Sequence, residues 1–546
     1  MRNDFDVIIA GAGPVGLALG AQLSAMDVKF AIIDLLETPS PLSKAGVIWG
    51  RSLELLNLCM EANAFVEAGR PLKKAMLFNE GTEIATIDFR GTKDPFGTGI
   101  MIPQNETERV LASQLRTRGV EVQRGMTLKS FQQDSEGVSC NIQDTSGNIS
   151  TWRANFLVGC DGAHSAVRHG LELPFPGNQE PHRWILADVS ATGNLPDSEI
   201  IACWSQHGLL VMFRFTDSSW RVIAEHSDTD PNLSSQKPTL EQMQQLMDER
   251  GLKDVQLFDP TWLSEFRIHE RKVDTYQVDR VFLAGDAAHI HSPAGGQGMN
   301  TGIQDACNLA WKIAWQQKAS LGPKILESYT QERSRIGDQV LRNTSHATRV
   351  ATTDSRVLQW GRKTLAKIAL HFEWTQELAR QNIAEYTVAY PNSSIAGGDH
   401  RRHKNGVSRG DRIVDFAWND RSGNPNTLYQ LLGGGHAVLV GWNGETQRVA
   451  QLINTLPHSV RRLFRSLELT PLEDSTQLED STDFANESPL NIESSQHRFG
   501  YADASMMKAI GLVEPGLMII RPDGYLAAAG TMEDESIVVE WLQSLS

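Results

Sequence analysis

Six residues near the N-terminus, GAGPVG at 11–16, restrict what this chain can fold into more than any other stretch. They follow a short, continuously apolar run, Val7–Ala10, of the kind expected for a strand buried on both faces of a parallel sheet. Pro14–Ala25 reads as a helix and Lys29–Asp34 (KFAIID) as a second buried strand, completing a strand–helix–strand unit. In GxGxxG spacing, Gly11 permits a tight turn, Gly13 lets a pyrophosphate approach the backbone, and Gly16 lets helix and strand pack closely. The phosphates then meet free amides at the positive end of the helix. Asp34, at the end of the second strand, is placed to accept from a ribose hydroxyl. A bare GxGxxG is weak, because many glycine turns are structural. Between a strand and a helix it predicts a dinucleotide site, with the choice between NAD and FAD left open.

A later stretch, LAGDAAHIHSPAGGQGMNTGIQDACNLAWK at 283–312, bears on that choice. VFLAG at 281–285 reads as a buried strand, and Asp286 stands at its C-terminal end, where open α/β sheets bind ligands. A carboxylate there can accept hydrogen bonds from a polyol chain. The loop Pro293–Asn300 aims backbone amides and a helix start at a site of negative charge, such as the N1–C2=O edge of a reduced flavin. The alternative is a glycine-rich connection with Asp286 as a helix cap. In the following helix Ile303, Ala306, Cys307, Ala310, Ile313 and Ala314 mark one buried face. A third motif, VGCDGAHSAVR at 158–168, turns the chain at Asp161–Gly162 and sets Ser165 and Arg168 at helical spacing. Taken alone, Arg168 reads as a surface arginine.

With 546 residues, more than one domain is expected. Residues 50–70 and 104–118 read as helices, and 120–160 carries strand patterns. From 178 to 275 runs such as GLLVMFRF and SWRVIAEH predict an antiparallel sheet. Helices continue to about 390, and 389–411 reads as a linker before a small α/β domain. The expected division is 1–177, 178–275, 276–395 and 405–546. The repeat LEDSTQ–LEDSTD at 472–483 reads as a solvated loop. A net charge of −15 argues against nucleic acid and an anionic membrane as partners. The first apolar run is too short for a signal segment, and no stretch approaches the length of a bilayer span. Five cysteines without metal or disulfide spacing predict no metal site and fit a cytoplasmic protein.

GAGPVG, CDGAHSAVR and RVFLAGDAAHIHSPAGGQGMNTGIQDACNLAWK, in this order, resemble the single-component FAD-dependent aromatic hydroxylases, the group A phenol and polyketide monooxygenases. The resemblance covers about residues 4–390. More weakly, RPDGYLA at 521–527 resembles the thioredoxin-like tail of the phenol hydroxylase branch, here without cysteine. The fold implied is α/β: a Rossmann-like FAD domain of the glutathione-reductase type, interleaved with an antiparallel substrate domain and followed by the thioredoxin-like domain. By resemblance Gly11, Gly13 and Gly16 hold the FAD pyrophosphate, Asp34 the adenosine ribose, Gln104 the flavin side, Leu128 the adenine, and Asp286 the ribityl chain. Asp161 matches a motif associated with both FAD and the nicotinamide cofactor. The backbone of Gly296, Gln297, Gly298, Met299 and Asn300 meets the flavin ring, with Pro293 bordering its reacting edge. Where the family has arginine before alanine this chain has Lys44–Ala45, and Arg51 is expected to share the duty.

The activity implied is reduction of FAD by NADPH or NADH, then addition of O2 at flavin C4a to give a hydroperoxide that attacks an electron-rich ring. The substrate expected is a small aromatic, a phenol without a carboxylate, with expulsion of a ring substituent left open. Trp204, Met212, Phe213, Phe215 and Trp220 are the expected lining, each equally readable as sheet core, and Arg214 is the one arginine offered to a carboxylated ring. His207, His226 and His269 lie in the region of the base, but no catalytic residue is assigned. A homodimer is the family's usual state. The rival readings are an FAD-dependent reductase or halogenase of similar fold, an NAD-dependent dehydrogenase, and a flavin-bearing interaction protein.

Overall fold

The computed structural model describes residues 4–90, 94–226, 237–293, 295–351, 373–396, 407–442, 448–472, 497–503, 507, 512, 515–532, 534 and 536–545. The LEDST repeat lies outside the described residues, apart from Leu472.

The first sheet is built on apolar strands that alternate with helices. Strands Val281–Leu283, Ile149–Gly159, Phe5–Ala10, Phe30–Asp34 and Gln123–Arg124 run parallel in that spatial order. A hairpin, Thr127–Gln133 and Val138–Gln143, extends Ile149–Gly159 antiparallel. Val7, Ile8 and Ile9 are fully buried, as a strand covered on both faces must be. Helix Pro14–Ala25 lies close over this sheet: a Cβ on Gly20 would meet Ile32 at 2.7 Å.

The second sheet has the order His289–Ile290, Val255–Lys272, Gly177–Gly193, Ser219–His226, Gly208–Arg214, Ile200–Ser205, Lys74–Asn79, Thr82–Asp88. Its last two strands come from the N-terminal third of the chain, and Lys74–Asn79 pairs parallel with Ile200–Ser205. The other neighbours are antiparallel. On its rear face Met212, Trp220, Val222 and Ala224 form a core with Met243, Leu246 and Met247 of helix Leu240–Glu249. At its other edge His289–Ile290 joins it to the loop after Asp286.

The C-terminal sheet has the order Pro425–Thr427, Ala417–Asp420, His497–Asp503, Phe464–Leu472, Ala437–Trp442, Gly516–Ile520, Leu526–Gly530. Three adjacent strands are parallel (His497–Asp503, Phe464–Leu472, Ala437–Trp442), and Gly516–Ile520 and Leu526–Gly530 continue antiparallel. One hydrophobic core runs from the first sheet through helix Gly298–Ala319 into this sheet. Trp315 contacts Trp541 edge-on at 5.7 Å and donates to the Gly435 carbonyl at 2.8 Å. The single buried face expected of this helix is therefore too narrow. Every residue from Met299 to Trp315 is buried, because the C-terminal domain covers what would otherwise be its solvent side. Among the described residues no helix is long and apolar enough to cross a membrane.

Candidate active site

At the C-terminal ends of the parallel strands a cavity of about 620 Å³ opens between the first sheet and the front face of the second. Its floor is the glycine turn. Gly11 has φ +103°, and a Cβ there would stand 2.4 Å from the Cys160 carbonyl oxygen. Gly16 does not line the cavity; a Cβ on it would fall 2.0 Å from the Gly11 carbonyl oxygen, so its bareness serves helix–strand packing. Gly13 and Gly162 both face the cavity, and a Cβ on either meets no protein atom within 4 Å. The open end of helix Pro14–Ala25 lies beside that bare ledge. This is a cradle shaped for a phosphate-bearing ligand.

Asp34 lines the same cavity and accepts from the Ala12 amide at 2.7 Å and the Leu36 amide at 2.9 Å, fixing the turn. Gln104 also lines it, but its side chain is already engaged. Oε1 accepts from the Ala45 amide at 3.1 Å, and Nε2 donates to Glu108 at 2.9 Å. Leu128, Asp161, Asp286, Pro293, Gly296, Gly298, Met299 and Lys44 complete the predicted set that the cavity gathers. Asp286 sits in a single turn, Gly285–Ala287, just past strand Val281–Leu283. Its carboxylate opens onto the cavity; desolvation by the enclosing walls raises its pKa, opposed by His289 and Lys44. Asp161 accepts from the Val167 amide at 3.2 Å, and burial raises its pKa while its other oxygen has no hydrogen-bond partner.

Several expected residues lie elsewhere. Arg51 is fully buried and turned away, donating to Glu54, Tyr429 and the Asp523 carbonyl of the C-terminal domain. It does not line the cavity, contrary to the expectation that it shares the duty of Lys44. Gln297 does not line the cavity, and the Asn300 side chain braces it from behind, donating to the Val47 and Gly296 carbonyls. In the second sheet the alternation of side chains decides the lining. Phe213 faces Arg221 across strands Gly208–Arg214 and Ser219–His226 and lines the cavity; Met212 faces Val222 on the rear. Met212 and Trp220 are therefore core, and Arg214, opposite Trp220, is on the wrong face for a ligand. Phe215 stands behind Gly46 and packs on Arg221, while Trp204 does not reach the cavity. His207, His226 and His269 do not reach it either.

Arg221, Ile223, Glu108, Arg124 and Val47 also line the cavity outside the three motifs, and so does His291, which lies within the 283–312 stretch but has no role implied there. Arg221 binds Asp188 through two nitrogens at 2.8 Å and donates to the carbonyls of Ser43 and Lys44, so its charge is spent on holding that loop. His291 donates from Nδ1 to its neighbour's carbonyl, Ser292, at 2.9 Å. Burial and the adjacent His289 push its pKa down to about 4, which makes it neutral. Arg168 is buried rather than superficial; it donates to the carbonyls of Ala163 and Ala287 and so ties the Asp161 turn to the Asp286 turn.

A nucleotide cradle, a carboxylate after a parallel strand and an apolar sheet face thus share one cavity. Residues 4–344 match the FAD binding domain family. The chain belongs to that family. It is 31% identical, over 82% of its length and 87% of the relative's, to the uncharacterized aromatic compound monooxygenase YhjG of Bacillus subtilis (strain 168). It is 29% identical, over 99% of its length and 93% of the relative's, to the 6-methylpretetramide 4-monooxygenase of Streptomyces rimosus. Among solved structures, the OxyS anhydrotetracycline hydroxylase from Streptomyces rimosus matches 99% of each chain with a TM-score of 0.78 at 25% identity. The expectation of an FAD-dependent aromatic monooxygenase is borne out.

Proposed function

We propose that this monooxygenase uses NADPH or NADH and O2 to hydroxylate a neutral phenolic ring. The observation that carries the reading is that one cavity is walled on one side by the glycine turn and the Asp286 loop, and on the other by Phe213 and Ile223. FAD fits the first side: Gly13 and Gly162 leave room where a side chain would stand, and Asp286 presents an acceptor for hydroxyls. When bound, FAD supplies the hydride-accepting and oxygen-activating chemistry. The chain supplies the rest. Gly296, Gly298 and Met299 offer a wall whose first two members have no side chain, and Asn300 holds that wall against Val47. Phe213, Ile223, Val47 and Pro293 provide apolar surface that excludes water and stacks on a ring. Arg221 on the sheet face is already neutralised by Asp188 and so is not free to pair with a carboxylated ring, which favours an uncharged substrate.

The finer assignments have separate supports. The three parallel strands followed by two antiparallel ones fit a thioredoxin-like tail. Five buried free cysteines fit a reducing cytoplasm. A homodimer follows from the family resemblance alone. The experiment that tests the function is a panel of phenols and matched hydroxybenzoates, scored for stimulated NAD(P)H oxidation and for hydroxylated product. Neutral phenols giving both is the expected result. Oxidation without hydroxylated product from any ring would replace the reading with a reductase.

A further inference from the structure

We propose that the turn Arg521–Gly524 of the C-terminal domain is a positioning element for the FAD cavity, holding in register the two helices whose starts build the cavity wall. The inference rests on membership of the FAD-binding family and is independent of the phenol reading.

The two helices are Gly50–Asn57 and Gly298–Ala319. The first continues strand Val47–Trp49, whose Val47 lines the cavity; the second begins with Gly298 and Met299, which line it too. Their starts are stitched together, since Asn300 Oδ1 accepts from the Trp49 amide at 2.8 Å and Trp49 Nε1 donates to the Gly295 carbonyl at 3.1 Å. Asp523 grips both helices. Its backbone carbonyl accepts from Arg51 at 2.6 Å, and its carboxylate accepts from Asn308 at 3.2 Å. Arg521 holds that carboxylate at 2.7 Å and reaches Glu332 at 2.6 Å, and Glu332 accepts from Lys312 and Asn308 at 2.8 and 2.7 Å. On the other side Arg51 donates to Glu54 and Tyr429, and Arg412 joins Glu54 to Asp94.

This cluster contains Arg51, Lys312, Arg412 and Arg521 against Glu54, Asp94, Glu332 and Asp523, all buried or nearly so. Its charges balance. A buried network of this kind is a poor source of stability compared with apolar packing, but it fixes register, because any slip leaves a charge unpaired out of water. The same interface already has apolar glue in Trp311, Trp315, Phe464 and Trp541. Adhesion alone does not require the charges. The turn is also tightly seated: Gly524 has φ +78°, and a Cβ on it would stand 2.6 Å from the Tyr429 hydroxyl that Arg51 binds.

The test compares full-length apoprotein variants titrated with FAD, by flavin fluorescence quenching and by visible circular dichroism of the bound flavin, alongside thermal unfolding. Asp523→Ala is expected to raise the FAD Kd at least tenfold and to alter the flavin dichroism, with Asp523→Asn between it and the parent. The comparison is Trp541→Phe, which removes an interface hydrogen bond to the Ile395 carbonyl and touches neither helix start. It is expected to lower the melting temperature yet leave Kd within twofold and the dichroism unchanged. Should Asp523→Ala not fold, Asp523→Asn carries the comparison. An Asp523 variant with parental Kd and dichroism overturns the proposal. So does a Trp541→Phe protein that loses FAD as badly at the same loss of melting temperature.

Discussion

Gly13 and Gly16 are three positions apart in one turn and are bare for different reasons. A methyl at Gly16 collides with the Gly11 carbonyl oxygen, whereas a methyl at Gly13 enters only the cavity. Gly16→Ala should therefore destabilise the apoprotein by several kcal/mol, a strain of the kind that overpacking produces (about 1–3 kcal/mol, more against backbone). Gly13→Ala should leave apoprotein unfolding within about 0.5 kcal/mol of the parent while weakening FAD by about tenfold or more, ~1.4 kcal/mol. Denaturant melts without FAD, paired with FAD titrations, separate the two. These roles are legible in the spacing, because GxGxxG between a strand and a helix has few geometries. The sheet face is not. Phe213 and Met212 are adjacent and equally apolar, and only the pairing register shows which one faces the cavity. Met212→Ala should cost about 2–5 kcal/mol of stability with KM for the aromatic substrate unchanged. Phe213→Ala should raise that KM with little loss of stability. Steady-state kinetics beside thermal melts would reverse the assignment if the two swapped behaviour.

Helix Gly298–Ala319 shows what periodicity hides at the scale of an element. Its apolar stripe is plain in the sequence, but the polar remainder looks the same whether it meets water or buried partners. Here it meets partners. Asp305 accepts from the Gly285 amide at 3.0 Å, lies 2.9 Å from His289 Nε2 and binds Arg333 at 2.6 Å, locking the helix to the Asp286 loop. Burial alone would raise the Asp305 pKa, but Arg333 and His289 hold it below its usual value. The preceding residue, Gln304, donates to Glu385, whose other oxygen has no hydrogen-bond partner and whose pKa burial pushes up to about 8. Between its ordinary value near 4.5 and about 8, the folded protein keeps a proton that the unfolded chain has released. Folding stability is then greatest on the acid side of this window and falls as pH rises through it, by at most about 1.4 kcal/mol per pH unit. Glu385→Gln should flatten that slope, as read by denaturant melts from pH 5 to pH 8.

For the whole molecule the informative pair is Arg51 and Asp523, 472 positions apart in the chain. No local pattern can announce such a contact, so an arginine just after a cavity strand reads in sequence as a ligand for the nearest anion. The parallel sheet and the existence of a C-terminal α/β unit are readable, because apolar runs and turns are local. The continuity of the core between them is not. That continuity predicts shared stability. FAD at a hundred times its Kd should add about 2.7 kcal/mol to global unfolding and slow hydrogen exchange in strand Ala437–Trp442 along with strand Phe5–Ala10. Exchange slowed only in the latter would mean that the C-terminal unit opens separately. The second sheet carries a different implication. Its strands Lys74–Asn79 and Thr82–Asp88 leave the ribosome well before Ile200–Ser205, the neighbour they pair with. The nascent hairpin must wait with one ladder of amides and carbonyls open to any passing strand. Grafting 178–275 onto another scaffold would recreate that raw margin permanently, so substrate preference in this enzyme is better exchanged one inward-facing side chain at a time than by transplanting a block.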